Sequence, residues 1–271
     1  MNETTTNINW YPGHMAKAKR LMLEDMKIID VVVELVDARI PFSSKNPDID
    51  SIAGGKSRVI LLNKADMADA AATTLWKEYY EKLGYTVAAI NARSGSGLRA
   101  VTDAIQTACR EKIERDRARG IQNRPLRAMI VGIPNVGKST FINSFAGKAV
   151  AKTGNKPGVT KGKQWIRLNK SVELLDTPGI LWPKIESQLV ARRIAWIGSI
   201  NDLILITTEL AELLLVFIRD RYPGMLSGHP LVQGVAEQDV PFQVQLAEGL
   251  LRGEEHPVAH DAGIVRARGH G

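Results

Sequence analysis

Two aliphatic runs, Asp30-Val31-Val32-Val33-Glu34-Leu35-Val36-Asp37 and Arg58-Val59-Ile60-Leu61-Leu62-Asn63, are apolar at nearly every position and end in polar residues. That pattern predicts strands buried on both faces of a sheet. Over 69–83 the apolar positions fall at helical spacing and stop at Gly84, after which 85–90 reads as a strand. Helical spacing resumes over 98–119, breaks at Gly120 and Pro125, and gives way to a strand over 127–131. A strand pair is predicted at 164–168 and 171–175, with Asn169 and Lys170 at the hairpin turn. Beyond Pro183 the strand signals fade, and 186–200, 207–221 and 242–251 read as helices. Alternating strands and helices predict an α/β domain with a mostly parallel sheet over 1–183. A helical domain over 184–252 and a frayed tail over 253–271 complete the expected organisation.

Composition adds exclusions. With 44% hydrophobic and 24% charged residues, the 271-residue chain lies outside the regime of intrinsic disorder. Its longest apolar stretch, 203–218, is broken by Glu209 and Glu212 and falls short of the roughly 20 residues of a spanning helix, so no membrane span is expected. The polar opening at 2–9 lacks a secretory pattern, and the single cysteine, Cys109, excludes an internal disulfide; both point to the cytoplasm. The net charge of +7 is uneven: 184–271 carries 8 basic and 11 acidic residues, which leaves +10 on the first 183. The basic runs at 17–20, 110–127 and 148–170 suit phosphate backbones. In the middle run, however, Glu111, Glu114 and Asp116 alternate with arginines as on a solvated helix.

The chemistry begins at Gly132-Ile133-Pro134-Asn135-Val136-Gly137-Lys138-Ser139-Thr140, which follows a strand and matches the phosphate-binding loop pattern. Its glycines let the backbone wrap closely, and successive N–H groups ahead of a helix supply positive potential. Lys138 is placed to reach the β- and γ-phosphates and the Ser139 hydroxyl to ligate Mg²⁺. In Leu174-Leu175-Asp176-Thr177-Pro178-Gly179, a strand-end carboxylate can hold Mg²⁺ through water, and the Gly179 N–H can meet a γ-phosphate. Asn63-Lys64-Ala65-Asp66 ends another strand, where the Asp66 carboxylate can accept two hydrogen bonds from guanine, a pair that adenine does not offer on that edge.

Together these elements resemble the G4, G1 and G3 motifs of the translation-factor-related GTPases. Their order differs from the usual one, because Asn63 precedes Gly132 by about 70 residues, and G4-G5-G1-G2-G3 is the order of the circularly permuted members. Such permutation is tolerated because domain termini often lie close together. Asn9-Trp10-Tyr11-Pro12-Gly13-His14-Met15-Ala16-Lys17-Ala18, together with Asp37-Ala38-Arg39-Ile40-Pro41, narrows the resemblance to the ribosome biogenesis GTPase A family over about 10–200. The resemblance implies a P-loop GTPase domain followed by a helical RNA-binding domain.

By the same resemblance, Asn63, Lys64 and Asp66 form the guanine site, and Ala92 and Arg93 fall at G5. There Asn91 stands where the family commonly has serine. Asn135, Val136, Gly137, Lys138, Ser139 and Thr140 hold phosphate. Thr160, in Gly158-Val159-Thr160-Lys161-Gly162, matches the G2 threonine that closes on Mg²⁺; read alone, it is also a turn threonine. Ile180 follows Gly179 where many GTPases carry a water-orienting glutamine. The resemblance assigns that task to His14, which in isolation reads as a structural turn residue more often than a catalytic one. It also makes Asn135 a ligand for K⁺.

The implied activity is GTP hydrolysis to GDP and phosphate with Mg²⁺, stimulated by a large ribosomal subunit precursor whose late assembly and rRNA the protein serves. Two alternatives stay open: an RNA-binding assembly chaperone with incidental turnover, and a permuted GTPase acting on the small subunit. RNA contact by the acidic C-terminal region would need Arg192, Arg193, Arg219 and Arg221 on one face.

Overall fold

The computed structural model describes residues 8, 10–121, 124–147, 164–167, 171–201 and 204–222. Its centre is a six-stranded sheet of β1 (Val31–Asp37), β2 (Ser57–Asn63), β3 (Thr86–Ala89), β4 (Leu126–Val131), β5 (Gln164–Arg167) and β6 (Val172–Asp176). The strand order is β3-β2-β1-β4-β6-β5, parallel throughout except for β5, which runs antiparallel to β6. All seven residues of β1 are buried, Glu34 and Asp37 included, as expected of a central strand whose other five positions are aliphatic. The turn expected at Asn169 and Lys170 lies outside the described residues.

Helices connect the strands: α1 (Gly13–Asp25), α2 (Pro41–Ser44), α3 (Asp48–Ala53), α4 (Ala70–Lys82), α5 (Leu98–Ala108), α6 (Arg110–Ala118), α7 (Lys138–Ala146), α8 (Gln188–Trp196) and α9 (Thr207–Arg221). Asp69 caps α4, accepting from the Ala72 N–H at 2.7 Å. The helix expected over 98–119 divides at Cys109, whose φ of −100° and ψ of 10° leave helical geometry. The division follows burial: Val101, Ala104 and Ile105 on α5 enter the core, whereas on α6 only Ile113 touches it, half-buried. On α6, Arg110 pairs with Glu114 and Lys112 with Asp116, as expected of a solvated charged helix.

The C-terminal ends of β1, β2, β4 and β6 bring Asp37, Asn63, the turn at Gly132, and Asp176 to one edge of the sheet, the position where open α/β sheets build their sites. Val190, Ala191 and Ile194 of α8 join the same apolar core as the sheet strands. The helices expected over 186–200 and 207–221 appear as α8 and α9. The segment 242–251 and the tail lie outside the described residues. Among the described residues no helix is long and apolar enough to cross a membrane.

Candidate active site

The phosphate loop joins β4 to α7 through left-handed backbone at Gly132 (φ 147°), Asn135 (φ 57°) and Gly137 (φ 101°). Two of these positions are also closed to side chains. A Cβ on Gly132 would lie 2.6 Å from the Leu35 carbonyl, and one on Gly137 would lie 2.5 Å from the Asn63 amide nitrogen. Lys138 opens α7 and is buried, its ammonium donating to the Gly132 and Ile133 carbonyls at 3.1 and 2.9 Å. Burial pulls its pKa down to about 8, against the opposing charge of Asp176. Ser139 and Thr140 occupy the first turn of α7, half-buried.

Asn63 acts as a staple across the base side. Its amide donates to the Val136 carbonyl at 2.9 Å and its oxygen accepts from the Ala92 N–H at 3.0 Å. Lys64, in left-handed conformation (φ 61°), spans Asp37 at 2.8 Å and the Asn135 carbonyl at 3.1 Å. Asp37 is fully buried and grips Arg39 through two hydrogen bonds of 2.9 and 2.8 Å. Burial works to raise the Asp37 carboxyl, but Arg39 and Lys64 outweigh it and hold it below the usual carboxylate range. Asp66 is exposed in the 3₁₀ turn Ala65–Met67, open to a base. At G5, the Asn91 side chain accepts from the Arg93 and Ser94 N–H groups, so the residue that departs from the family pattern organises this loop itself.

Asp176 ends β6 almost wholly buried, and its Oδ1 has no hydrogen-bond partner among the described residues. Burial raises its pKa to about 6, opposed by Lys138 and the Thr177 N–H. A buried carboxylate oxygen left unpaired suits a hydrated Mg²⁺. Gly179 packs so closely that an added Cβ would sit 2.8 Å from Pro134 backbone and 2.9 Å from the Lys138 ammonium. Ile180 is fully buried, held by its N–H to the Gly132 carbonyl (3.3 Å) and by its carbonyl to the Asn46 amide (3.0 Å). Thr160 lies outside the described residues.

His14 lies exposed at the start of α1, edge-on to Trp10 with ring centroids 6.2 Å apart. No hydrogen bond among the described residues ties its imidazole to the phosphate loop. The next residue, Met15, is buried and its sulfur accepts from the Leu181 N–H at 3.4 Å, which places the root of α1 against the segment leaving Gly179. The Asn135 amide donates to the Gly198 carbonyl at 2.5 Å, and the Ser199 hydroxyl donates to the Pro134 carbonyl at 2.7 Å. This clasp, together with Asp37, Arg39 and Met15, is absent from the expectations. The Met15, Ala18, Met22 spacing is a helical signal that would have revealed α1. Arg193 is buried, so it does not share an open face with Arg192, Arg219 and Arg221.

A carboxylate, a buried lysine and a base-side asparagine, all converging on one phosphate loop, define a P-loop GTPase whose base loop precedes its phosphate loop. Residues 127–227 match the family model described as "50S ribosome-binding GTPase". The chain is 49% identical to ribosome biogenesis GTPase A of Bacillus licheniformis, over 85% of this chain and 82% of that one. It is 52% identical to the protein of the same name from Bacillus cereus, over 81% and 74%. The crystal structure of GNP-bound YlqF from T. maritima aligns with a TM-score of 0.56 at 28% identity, covering 88% of this chain and 94% of that one. The chain belongs to the ribosome biogenesis GTPase A family.

Proposed function

We propose that the protein is a cytoplasmic assembly GTPase that binds a large ribosomal subunit precursor and its rRNA, and whose hydrolysis of GTP is stimulated by that particle. The observation that carries this reading is the burial of Ile180 between Gly132 and Asn46, because a side chain sunk in the core cannot orient the attacking water. Turnover then depends on a group supplied when a partner docks. The family model's description as 50S ribosome-binding supports the large subunit as that partner.

Lys138 exchanges its two loop carbonyls for phosphate oxygens, and the loop N–H groups gather the remaining charge. Ser139, Thr160 and, through water, Asp176 would hold Mg²⁺, which would supply charge neutralisation at the β- and γ-phosphates. Gly179 presents its N–H to the γ-phosphate, while Asn63 and Lys64 hold the base loop in register with the phosphate loop. His14 is the residue proposed to orient water once docking on the particle orders its side chain. The Asn135 amide is held through its nitrogen, so K⁺ would be met by Oδ1. The linker arginines Arg119 and Arg124 and the basic segment 152–163 are proposed to supply much of the salt-dependent RNA affinity.

GTP turnover in potassium buffer, alone and with stoichiometric large or small subunits, tests the reading, with a Lys138→Ala variant as blank. Stimulation by large subunits alone, lost in His14→Ala, is expected. Equal turnover in all three conditions would refute it, and intact release without stimulated turnover in His14→Ala would favour the chaperone alternative.

A further inference from the structure

A cavity of about 450 Å³ lies between α4 and the segment that runs from Trp182 into α8, and none of its lining residues belongs to the nucleotide site. That volume is ligand-sized, within the range of about 300–1,000 Å³ usual for small-molecule sites. Its lining includes Phe42, Tyr79, Tyr80, Tyr85 and Trp182, five of the chain's fifteen aromatic residues, and this concentration selects a flat ligand over an aliphatic one. The polar features are specific. Lys45 and Arg58 lie over the Tyr85 ring, each 5.3 Å from its centroid. Of the two carboxylates in the lining, Asp50 and Glu186, Asp50 is already taken by Lys45 at 2.6 Å, Arg58 at 2.7 Å and the Tyr85 hydroxyl at 2.9 Å. Tyr80 keeps its hydroxyl buried with no hydrogen-bond partner among the described residues. Lys184 stands exposed at the rim, 3.8 Å from Glu186.

We propose that this cavity takes an unstacked nucleobase of single-stranded RNA. The half-buried rings of Phe42 and Trp182 provide stacking faces, and exposed Lys184 at the rim is a cation for a flanking phosphate. An aliphatic peptide side chain would use the apolar walls but would leave the ring faces unstacked. Only the source of the RNA rests on the assembly role proposed above; the pocket itself rests on its walls.

The test uses the full chain and single-stranded hexamers of uridine or adenosine, compared with a blunt duplex and with UMP and AMP, by fluorescence anisotropy and competition. A hexamer carrying 4-thiouridine is photo-crosslinked and the adduct mapped. The expected crosslink falls on Trp182 or on the peptide spanning 79–85. Hexamer affinity should drop on the order of ten-fold in Trp182→Ala, as loss of one stacked base implies. Leu83→Glu, which changes an exposed lining residue at no cost to the core, should give a similar drop. Guanine-nucleotide affinity should be unchanged in both. Crosslinks mapping elsewhere, wild-type affinity in both variants, or equal binding of the duplex would overturn the proposal. Mononucleotides binding as tightly as hexamers would identify a free nucleotide instead and overturn the RNA assignment. Co-sedimentation with ribosomal subunits separates the two readings: its failure beside a positive hexamer crosslink refutes the assembly role and leaves the pocket standing.

Discussion

Asn63 and Val136 are 73 positions apart in the chain, yet the asparagine amide donates to the valine carbonyl at 2.9 Å, locking the base loop to the phosphate loop. Because the same side chain accepts from Ala92, Asn63→Ala orphans a buried carbonyl and a buried N–H. Each orphan costs roughly 1–3 kcal/mol. The variant should melt several degrees lower, and its affinities for GTP and GDP should fall together, as measured by thermal unfolding and nucleotide titration.

Gly179 faces an obstacle that cannot yield cheaply, since the nearest atoms to an added methyl are backbone atoms of Pro134 at 2.8 Å. Gly179→Ala should push the segment away from the phosphate loop. GTP-analogue affinity is expected to fall by more than ten-fold while GDP affinity changes little, because only the γ-phosphate needs this N–H. Equal losses for both nucleotides would contradict the assignment.

Buried Asp37 carries the charge that holds both Arg39 and Lys64. Asp37→Ala leaves Arg39 and Lys64, 28% and 24% exposed, without their carboxylate, and because water reaches both cations the cost should fall below the roughly 3–5 kcal/mol of a fully buried pair. The urea midpoint should fall accordingly. Lys64 should also lose its hold on the Asn135 carbonyl, so nucleotide dissociation should quicken.

The paired shifts on Asp176 and Lys138 give the nucleotide-free protein a defined pH response. Asp176 sits at about 6 against an ordinary 3.8, so the folded chain binds the extra proton between those values and stability falls as pH rises through that window. Lys138 sits at about 8 against 10.5, so the unfolded chain binds the extra proton there and stability recovers as pH rises from 8 to 10.5. These two groups therefore place the minimum between pH 6 and 8. Asp176→Asn should raise the melting temperature at pH 7, by about 1–3 kcal/mol of stability, with the gain vanishing below pH 4. Stabilisation by Mg²⁺ and GTP should be lost in the same variant, the trade expected of a site strained for function.

Ser199→Ala removes the 2.7 Å bond to the Pro134 carbonyl from a fully buried position. The expected loss is about 1 kcal/mol or somewhat more. If the clasp keeps the phosphate loop in shape, GDP release should accelerate as well; an unchanged release rate would confine Ser199 to stability.

The sheet was legible because its central strands are aliphatic runs that only double-sided burial explains, and the phosphate loop because its glycines and lysine keep fixed spacing. The helical spacing over 98–119 gave no sign of the break at Cys109, because Ile113 recurs four positions later and still packs against the core. The supports of the site were hidden for a different reason. Asp37 reaches Lys64 across 27 positions, and Pro134 reaches Ser199 across 65, contacts set by strand order and helix packing with no periodicity of their own. Arg193 shows the converse, a residue whose charge suggested solvent but whose place on α8 faces the core.

Strand β1 pairs with β2 on one side and with β4 on the other, and these neighbours are made at very different times. At roughly 5–20 residues per second, the ribosome finishes β1 on the order of ten seconds before β4 is complete. During that interval the valine-rich 31–37 segment has one open flank, an unpaired edge of the kind that recruits other chains. Permutation thus leaves the most buried strand of the finished molecule as the most adhesive one of the growing chain.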